Sequence, residues 1–216
     1  MLLALDTSTP SVTAAVHDGT RVLAEATVVD ARRHAELLAG QVAQVLAEAG
    51  LTPQDLTAIA VGVGPGPFTG LRVGVVTALT LGLALGLPVH GVCSLDALAR
   101  RAVVDGPFVV ATDARRREVY WARYSAEGAR VGLAAVSKPA DLAAELGGLP
   151  VLGPGAELYA EVFGGAAEAC APMSAGALAE VALAALASGG ALLPARPLYL
   201  RRPDATPPGA RKPVLA

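Results

Sequence analysis

Short apolar blocks separated by turn residues open the chain. Leu2 to Leu5, Val12 to His17 and, after the Asp18-Gly19 pair, Arg21 to Val28 read as three strands with a hairpin at Asp-Gly. The period then changes. Leu38, Val42, Val45, Leu46 and Ala49 recur at helical spacing, which predicts a helix over 31–49 with Asp30 as N-cap and Gly50 just past its end. Thr52-Pro53-Gln54-Asp55 predicts a capped helical turn with proline at its first position. Ala58 to Val63 reads as a buried strand. A Gly-Pro loop, an apolar helix over 69–85, a strand over 88–92 and a helix capped by Ser94 follow. The predicted order is βββαβαβα.

The pattern begins again at Phe108. Sliding the chain by 107 residues lays FVVATDARRREVYWARYS over MLLALDTSTPSVTAAVHD, with Asp113 over Asp6. Each copy is an apolar strand ending in Asp, a hairpin and a third strand, so the repeat predicts duplicated α/β lobes with a cleft between them. Further on, Asp141 to Leu146 predicts a short helix, Val151-Leu152 a strand, 175–187 a helix capped by Ser174, and Arg196 to Arg202 an extended segment. Residues 203–216, rich in proline and charge, are expected to form a mobile tail.

Composition narrows the class. Over 216 residues, 53% are hydrophobic and 17% charged, with mean hydropathy +0.51, which excludes a disordered chain. A net charge of −2 gives no global positive field, so nucleic acid would be met locally or through a partner. Two cysteines, Cys93 and Cys170, fit a reducing compartment, and MLLALDTS lacks the basic start of a signal peptide, so the expected address is the cytoplasm. Gly70 to Leu87 carries one charge, Arg72, and approaches the length of a membrane span. Its glycines, threonines and closing Pro88 suit a helix buried in an α/β domain instead.

Several motifs carry candidate chemistry. Asp6-Thr7-Ser8-Thr9 closes a strand and opens a hairpin, where hydroxyls and amides hold either a phosphate or their own backbone. Gly62 to Gly70 is neither a Walker A loop nor a dinucleotide fingerprint, since no Lys-Ser or Lys-Thr follows and Thr69 takes the place of the third glycine. Gly70 and Gly74, then Gly82 and Gly86, fall at four-residue spacing, which implies close approach by another element, either the protein's own sheet or another chain, with a helical face used for association favoured. His17, His34 and His90 have no ligand spacing, Cys93 reads as a core residue, and Arg115-Arg116-Arg117 reads as a solvated hairpin tip, with contact to a phosphate as the alternative.

Together LALDTST, His34-Ala35-Glu36, AVGVGPGPFTGLRVG, GVCSLDALA, TDARRREVY and PLYLR resemble the TsaB (YeaZ) family over nearly the whole chain. The Gly-Pro-Gly-x-Phe-Thr-Gly-Leu-Arg string is highly specific, with Pro67 at its variable position. The resemblance implies a duplicated actin-like, Hsp70-like ASKHA fold, two lobes of mixed sheet with flanking helices, over 1–105 and 106–202. It implies a non-catalytic dimerization subunit that pairs with TsaD, supports the ATPase TsaE, self-associates when alone and meets tRNA through TsaD. The implied product is N6-threonylcarbamoylation of adenosine 37 in tRNAs reading codons beginning with A. The implied partner surface is His34, Leu37, Leu38, Gln41, Val42 and Val45 of the first helix with Gly70, Leu71, Gly74, Val75, Ala78 and Leu79 of the next.

The resemblance also marks departures. TsaD holds its metal through Asn-His-Leu-Glu-Gly-His, whereas this chain reads Cys93-Ser94-Leu95-Asp96-Ala97-Leu98. Ser94 and Leu98 replace both histidines, so neither a metal site nor transfer chemistry is expected. Ser8 stands where ASKHA kinases place a phosphate-loop glycine. Asp6, Thr7, Ser8, Thr9 and Asp113 are thus expected to be a vestigial nucleotide site, with no cofactor and ATP or ADP with magnesium held at most weakly or at the partner junction. The alternative is an ASKHA-type ATPase or phosphotransferase using Asp6 and Asp113.

Overall fold

A computed structural model describes residues 1–164 and 172–201; the predicted tail over 203–216, Arg202 and Cys170 lie outside the described residues. β1 (Leu2–Asp6), β2 (Ser11–His17) and β3 (Val22–Val29) form an antiparallel meander and lead to α1 (His34–Glu48). After a 3-10 turn at Pro53–Asp55, β4 (Ala58–Gly62) runs parallel to β1. Then come α2 (Phe68–Leu85), β5 (Val89–Val92) parallel to β4, and α3 (Ser94–Ala99). The second meander is β6 (Phe108–Asp113), β7 (Val119–Tyr124) and β8 (Arg130–Ser137). It is followed by α4 (Pro139–Leu146), β9 (Val151–Leu152), α5 (Pro154–Leu158), α6 (Ala160–Phe163), α7 (Ala175–Ala187) and β10 (Leu193–Pro194).

The sheets run β10-β5-β4-β1-β2-β3 and β8-β7-β6-β9. Both β1 and β6 lie between an antiparallel neighbour, β2 or β7, and a parallel one, β4 or β9, which is the duplication the repeat predicts. Strand alternation divides the core into layers. Leu3, Leu5, Ile59 and Val61 face α1 and α2, whereas Leu2, Ala4 and Ala60 face the opposite way, toward α3 and α7. Phe108 and Val110 meet that same middle layer from the second sheet, and Val109 and Ala111 pack under α4 to α6. The 106–202 segment is therefore divided: α7 and β10 return to the first sheet.

Some of the capping expectations hold. Thr52 and Asp55 form a capping box, and the Ser174 hydroxyl accepts from Ala177 N–H at 3.0 Å to cap α7. Asp30 instead makes a turn ahead of α1, accepting from the amides of Arg32 and Arg33 at 2.9 and 3.1 Å, so the helix starts at His34 rather than 31. Ser94 is the first residue of α3, not its cap. The expected extended segment from Arg196 forms no strand among the described residues, whereas Leu193–Pro194 just before it joins the sheet, and α5 and α6 have no counterpart in the predicted pattern. Among the described residues α2 is the one helix long and apolar enough to cross a membrane. Here Gly70, Leu71, Gly74, Val75, Ala78 and Gly82 pack one of its faces into the domain.

Candidate functional site

Asp6, at the end of β1, is fully buried. Its Oδ1 accepts from the Ser8 amide and the Ser8 hydroxyl, each at 2.7 Å, and its Oδ2 accepts from the Ser94 hydroxyl at 2.6 Å. Ser94 Oγ in turn accepts from Gly64 N–H at 3.1 Å. Burial pushes the Asp6 carboxyl above its ordinary range, against the pull of the Ser94 and Ser8 hydrogen bonds. A Cβ at Gly62 would overlap Asp6 Oδ2, so glycine is what lets β4 approach this carboxylate.

The hydroxyl loop grips α2. Thr7 Oγ1 donates to Gly70 C=O at 2.8 Å and accepts from Gly74 N–H at 2.9 Å. A Cβ at Gly74 would stand 2.5 Å from that oxygen, and one at Gly70 would stand 2.5 Å from Thr7 C=O. Gly82 makes room in the same way for Val89. The protein's own loop and strand thus approach Gly70, Gly74 and Gly82, whereas Gly86 has nothing within 4 Å of a Cβ position and ends α2 in a left-handed conformation, φ 67°. His34, on the first turn of α1, donates through Nε2 to Thr9 C=O at 2.9 Å.

A cavity of about 350 Å³ opens above this loop, between the first turns of α1 and α2 and the Thr112, Asp113, Arg115 and Pro154 edge of the second half. Thr7, Ser8, Thr9 and Asp113 line it, whereas Asp6 lies beneath. Asp113 Oδ1 accepts from Arg115 N–H at 2.7 Å. Arg115, Arg116 and Arg117 hold left-handed φ values of 61°, 54° and 61°, and Arg201 secures this hairpin by donating to Ala114 C=O and pairing with Glu118. Both Asp6 oxygens already accept internal hydrogen bonds, and the described residues contain no group of three or more His, Cys, Asp and Glu side chains able to hold a metal. Asp6 is thus engaged beneath the cavity rather than presented to it. Ser94 and Leu98, in place of histidines, serve that hydrogen-bond chain and the core.

The two helix faces correct the expected partner surface. Leu38, Val42, Val45, Val75 and Ala78 are side chains of the core, and Leu71 is fully buried. Gly70 and Gly74 are covered by Thr7, and Gln41 is only 4% exposed, its amide unpartnered. The broad apolar stripe of each helix faces the sheet, where burial is greatest, so these residues are unavailable to a partner. His34 and Leu37 are half-buried, and Leu79 is exposed. The outer face carries residues the sequence reading missed. Val76, Leu79 and Leu83 are 58%, 44% and 87% exposed on α2, and Ala35, Ala39, Ala43 and Ala47 form an exposed row on α1. A groove of about 430 Å³ runs beside them, lined by Ala35, Phe68, Thr69, Arg72, Val73, Val76 and Thr77.

The comparisons agree with this architecture. A family model described as TsaD, tRNA N6-adenosine threonylcarbamoyltransferase, matches residues 21–187. An uncharacterized protein of Mycobacterium tuberculosis (strain H37Rv) is 47% identical over 211 residues, covering 95% of this chain and 94% of that protein. The tRNA threonylcarbamoyladenosine biosynthesis protein TsaB of Bacillus subtilis is 36% identical over 124 residues, and the match spans about half of its length, 54%. The solved structure of YeaZ from Pseudomonas aeruginosa superposes with a TM-score of 0.78 at 34% identity, covering 92% of this chain and 99% of that one. With a family model matched over most of its length and a YeaZ structure over nearly all of it, the chain belongs to the TsaB (YeaZ) branch of the TsaD-like family and has its duplicated ASKHA-type fold.

Proposed function

We propose that this chain is a non-catalytic docking subunit in tRNA threonylcarbamoyladenosine biosynthesis, which presents the outer face of α1 and α2 to a TsaD partner. The observation that carries the reading is the pairing of large and small on one surface. Val76, Leu79 and Leu83 are exposed on α2 and Ala35, Ala39, Ala43 and Ala47 on α1, with Ala35 and Val76 lining one groove, so the helices of a partner can seat side chains against the alanines and receive those of α2. The same face serves a second copy when TsaD is absent. TsaE and tRNA are reached through TsaD, in the cytoplasm, which suits a chain without a global positive field. Adenosine 37 of tRNA is modified by the partner, not by this chain.

Locked Asp6 supports the absence of catalysis. A fully buried carboxylate engaged by Ser8 and Ser94 is not presented to the cavity in which magnesium and a phosphate would sit. Isothermal titration of the isolated chain with ATP and magnesium tests the phosphotransferase alternative: no saturable heat and no turnover are expected, and micromolar binding with hydrolysis would restore that alternative. The docking surface is tested with Leu79→Glu and Leu83→Glu, which place charge in the apolar contact while leaving the core intact. Both should lower affinity for the TsaD of the same organism by at least about tenfold with unchanged melting temperature. Full affinity in a folded variant would refute the surface.

A further inference from the structure

The Gly-Pro-Gly-x-Phe-Thr-Gly-Leu-Arg string, with its Phe68 and Arg72, and the PLYLR segment meet in space. Leu198 N–H donates to Val63 C=O at 2.8 Å, which lays the C-terminal segment across the start of α2. Tyr199 then stacks on Phe68, with ring centroids 5.1 Å apart and planes 26° from parallel. The Arg72 guanidinium lies 3.7 Å from the centre of the Phe68 ring, and its Nε donates to the Tyr199 hydroxyl at 3.1 Å. Phe68 and Tyr199 are 38% and 40% exposed, so this cluster is on the surface, and Phe68 and Arg72 line the groove that continues into Val76.

Such an arrangement fixes a charge that long side chains usually leave mobile. The Phe68 ring and the tyrosine hydrogen bond hold the guanidinium and occupy Nε, which leaves the N–H groups of the two Nη atoms for an end-on, bidentate partner. Arg72 is the one charged residue of α2. Among the described residues, no carboxylate is paired with it. A guanidinium held by two aromatic side chains at the end of an apolar groove, with no carboxylate partner among the described residues, has the chemistry of a binding hot spot whose counterpart is a planar anion.

We propose that Arg72, positioned by Phe68 and Tyr199, receives an Asp or Glu carboxylate of the partner helix that docks on α1 and α2, and that this bidentate pair fixes the register of the complex. The inference rests on the docking reading above and names the chemistry of its occupant. The neighbouring apolar contacts supply area, and the pair selects a partner with a carboxylate at the matching position.

The experiment is titration calorimetry of full-length Arg72→Ala, Arg72→Lys and Tyr199→Phe variants with the TsaD of the same organism, beside Leu79→Glu and light scattering of each variant alone. Arg72→Ala should weaken binding by at least about tenfold. Arg72→Lys should do nearly as badly, because an ammonium keeps the charge but not the fork, and Tyr199→Phe should fall between them and the wild type. Wild-type binding should weaken with salt more steeply than that of Arg72→Ala. Wild-type affinity in Arg72→Ala with loss in Leu79→Glu would overturn the carboxylate pair and leave the docking face standing. Wild-type affinity in both would overturn the two together. Full affinity in Arg72→Lys overturns the bidentate geometry, and loss of self-association alone would assign the carboxylate to a second copy and overturn the choice of partner.

Discussion

Gly62→Ala probes whether the strand-end carboxylate is a buried strut or a free ligand. A methyl group at Gly62 would overlap Asp6 Oδ2 and stand 2.7 Å from Asp6 Cγ and 2.8 Å from Ser94 Oγ. Neither neighbour can swing away cheaply, because Asp6 is fully buried and held by Ser8 and Ser94, and Ser94 is buried as well. Overpacking of this kind costs about 1–3 kcal/mol. Pushing Oδ2 off the Ser94 hydroxyl leaves buried polar groups short of a partner, which costs about 1–3 kcal/mol more. A loss of about 2–6 kcal/mol is a large share of the roughly 5–15 kcal/mol that holds a domain folded. At about 2–4 °C per kcal/mol in a chain of this size, calorimetry should show the melting temperature falling by roughly 4–24 °C. Asp6→Ala removes the obstructing carboxylate, so the double variant should be more stable than the two single losses predict, by about 0.5–3 kcal/mol of coupling. A Gly62→Ala protein that melts with the wild type would refute the reasoning, since it would mean that Asp6 can turn toward the cleft.

Val75→Glu places a carboxylate where 2% of the side chain is exposed, so circular dichroism should report an unfolded or grossly destabilised chain, unlike Leu79→Glu one turn further along the helix. Burial pushes the Cys93 thiol up to about 12, so in a Cys170→Ser background a thiol reagent at pH 8 should react with Cys93 only after denaturant opens the core; rapid native labelling would contradict its placement. Asp96, which accepts from the Tyr124 hydroxyl at 2.8 Å and pairs with Arg130 at 3.0 Å, has its carboxyl raised chiefly by burial. The folded state therefore binds this proton more tightly than the unfolded state. Its contribution to stability is full below the unfolded value of 3.8 and is lost as pH rises through the folded value. Denaturant titrations from pH 3 to pH 7 should show that slope flattened in Asp96→Asn, and an unchanged slope would exclude Asp96 as its source.

Much of the fold is legible because its signals are local. Alternation and turn residues mark β1 to β3, and the 107-residue repeat marks their copies β6 to β8, with Asp113 closing a strand as Asp6 does. The faces of α2 are not legible in the same way. Val75 and Val76 differ from 2% to 58% exposure, yet a helix apolar on nearly every side offers no polar stripe to orient it, and only Arg72 and the threonines hint at the outside. Ser94 misleads for a related reason. A serine at a helix start reads as a cap because caps are local, whereas its hydroxyl serves Asp6, 88 residues away. The return of α7 to the first sheet depends on long-range contacts of the same kind, among them Ala175 N–H donating to Thr13 Oγ1 at 3.2 Å. The glycine spacing announced close packing but left its partner open, and Thr7 is that partner at two of the four positions.

The central claim is that one outer face of α1 and α2 serves both a second copy and TsaD. Light scattering of the purified chain, alone and then mixed with the TsaD of the same organism, tests it most directly. A homodimer that gives way to a one-to-one heterodimer is the predicted result. A chain that remains monomeric and leaves the mass of TsaD unchanged would contradict the account.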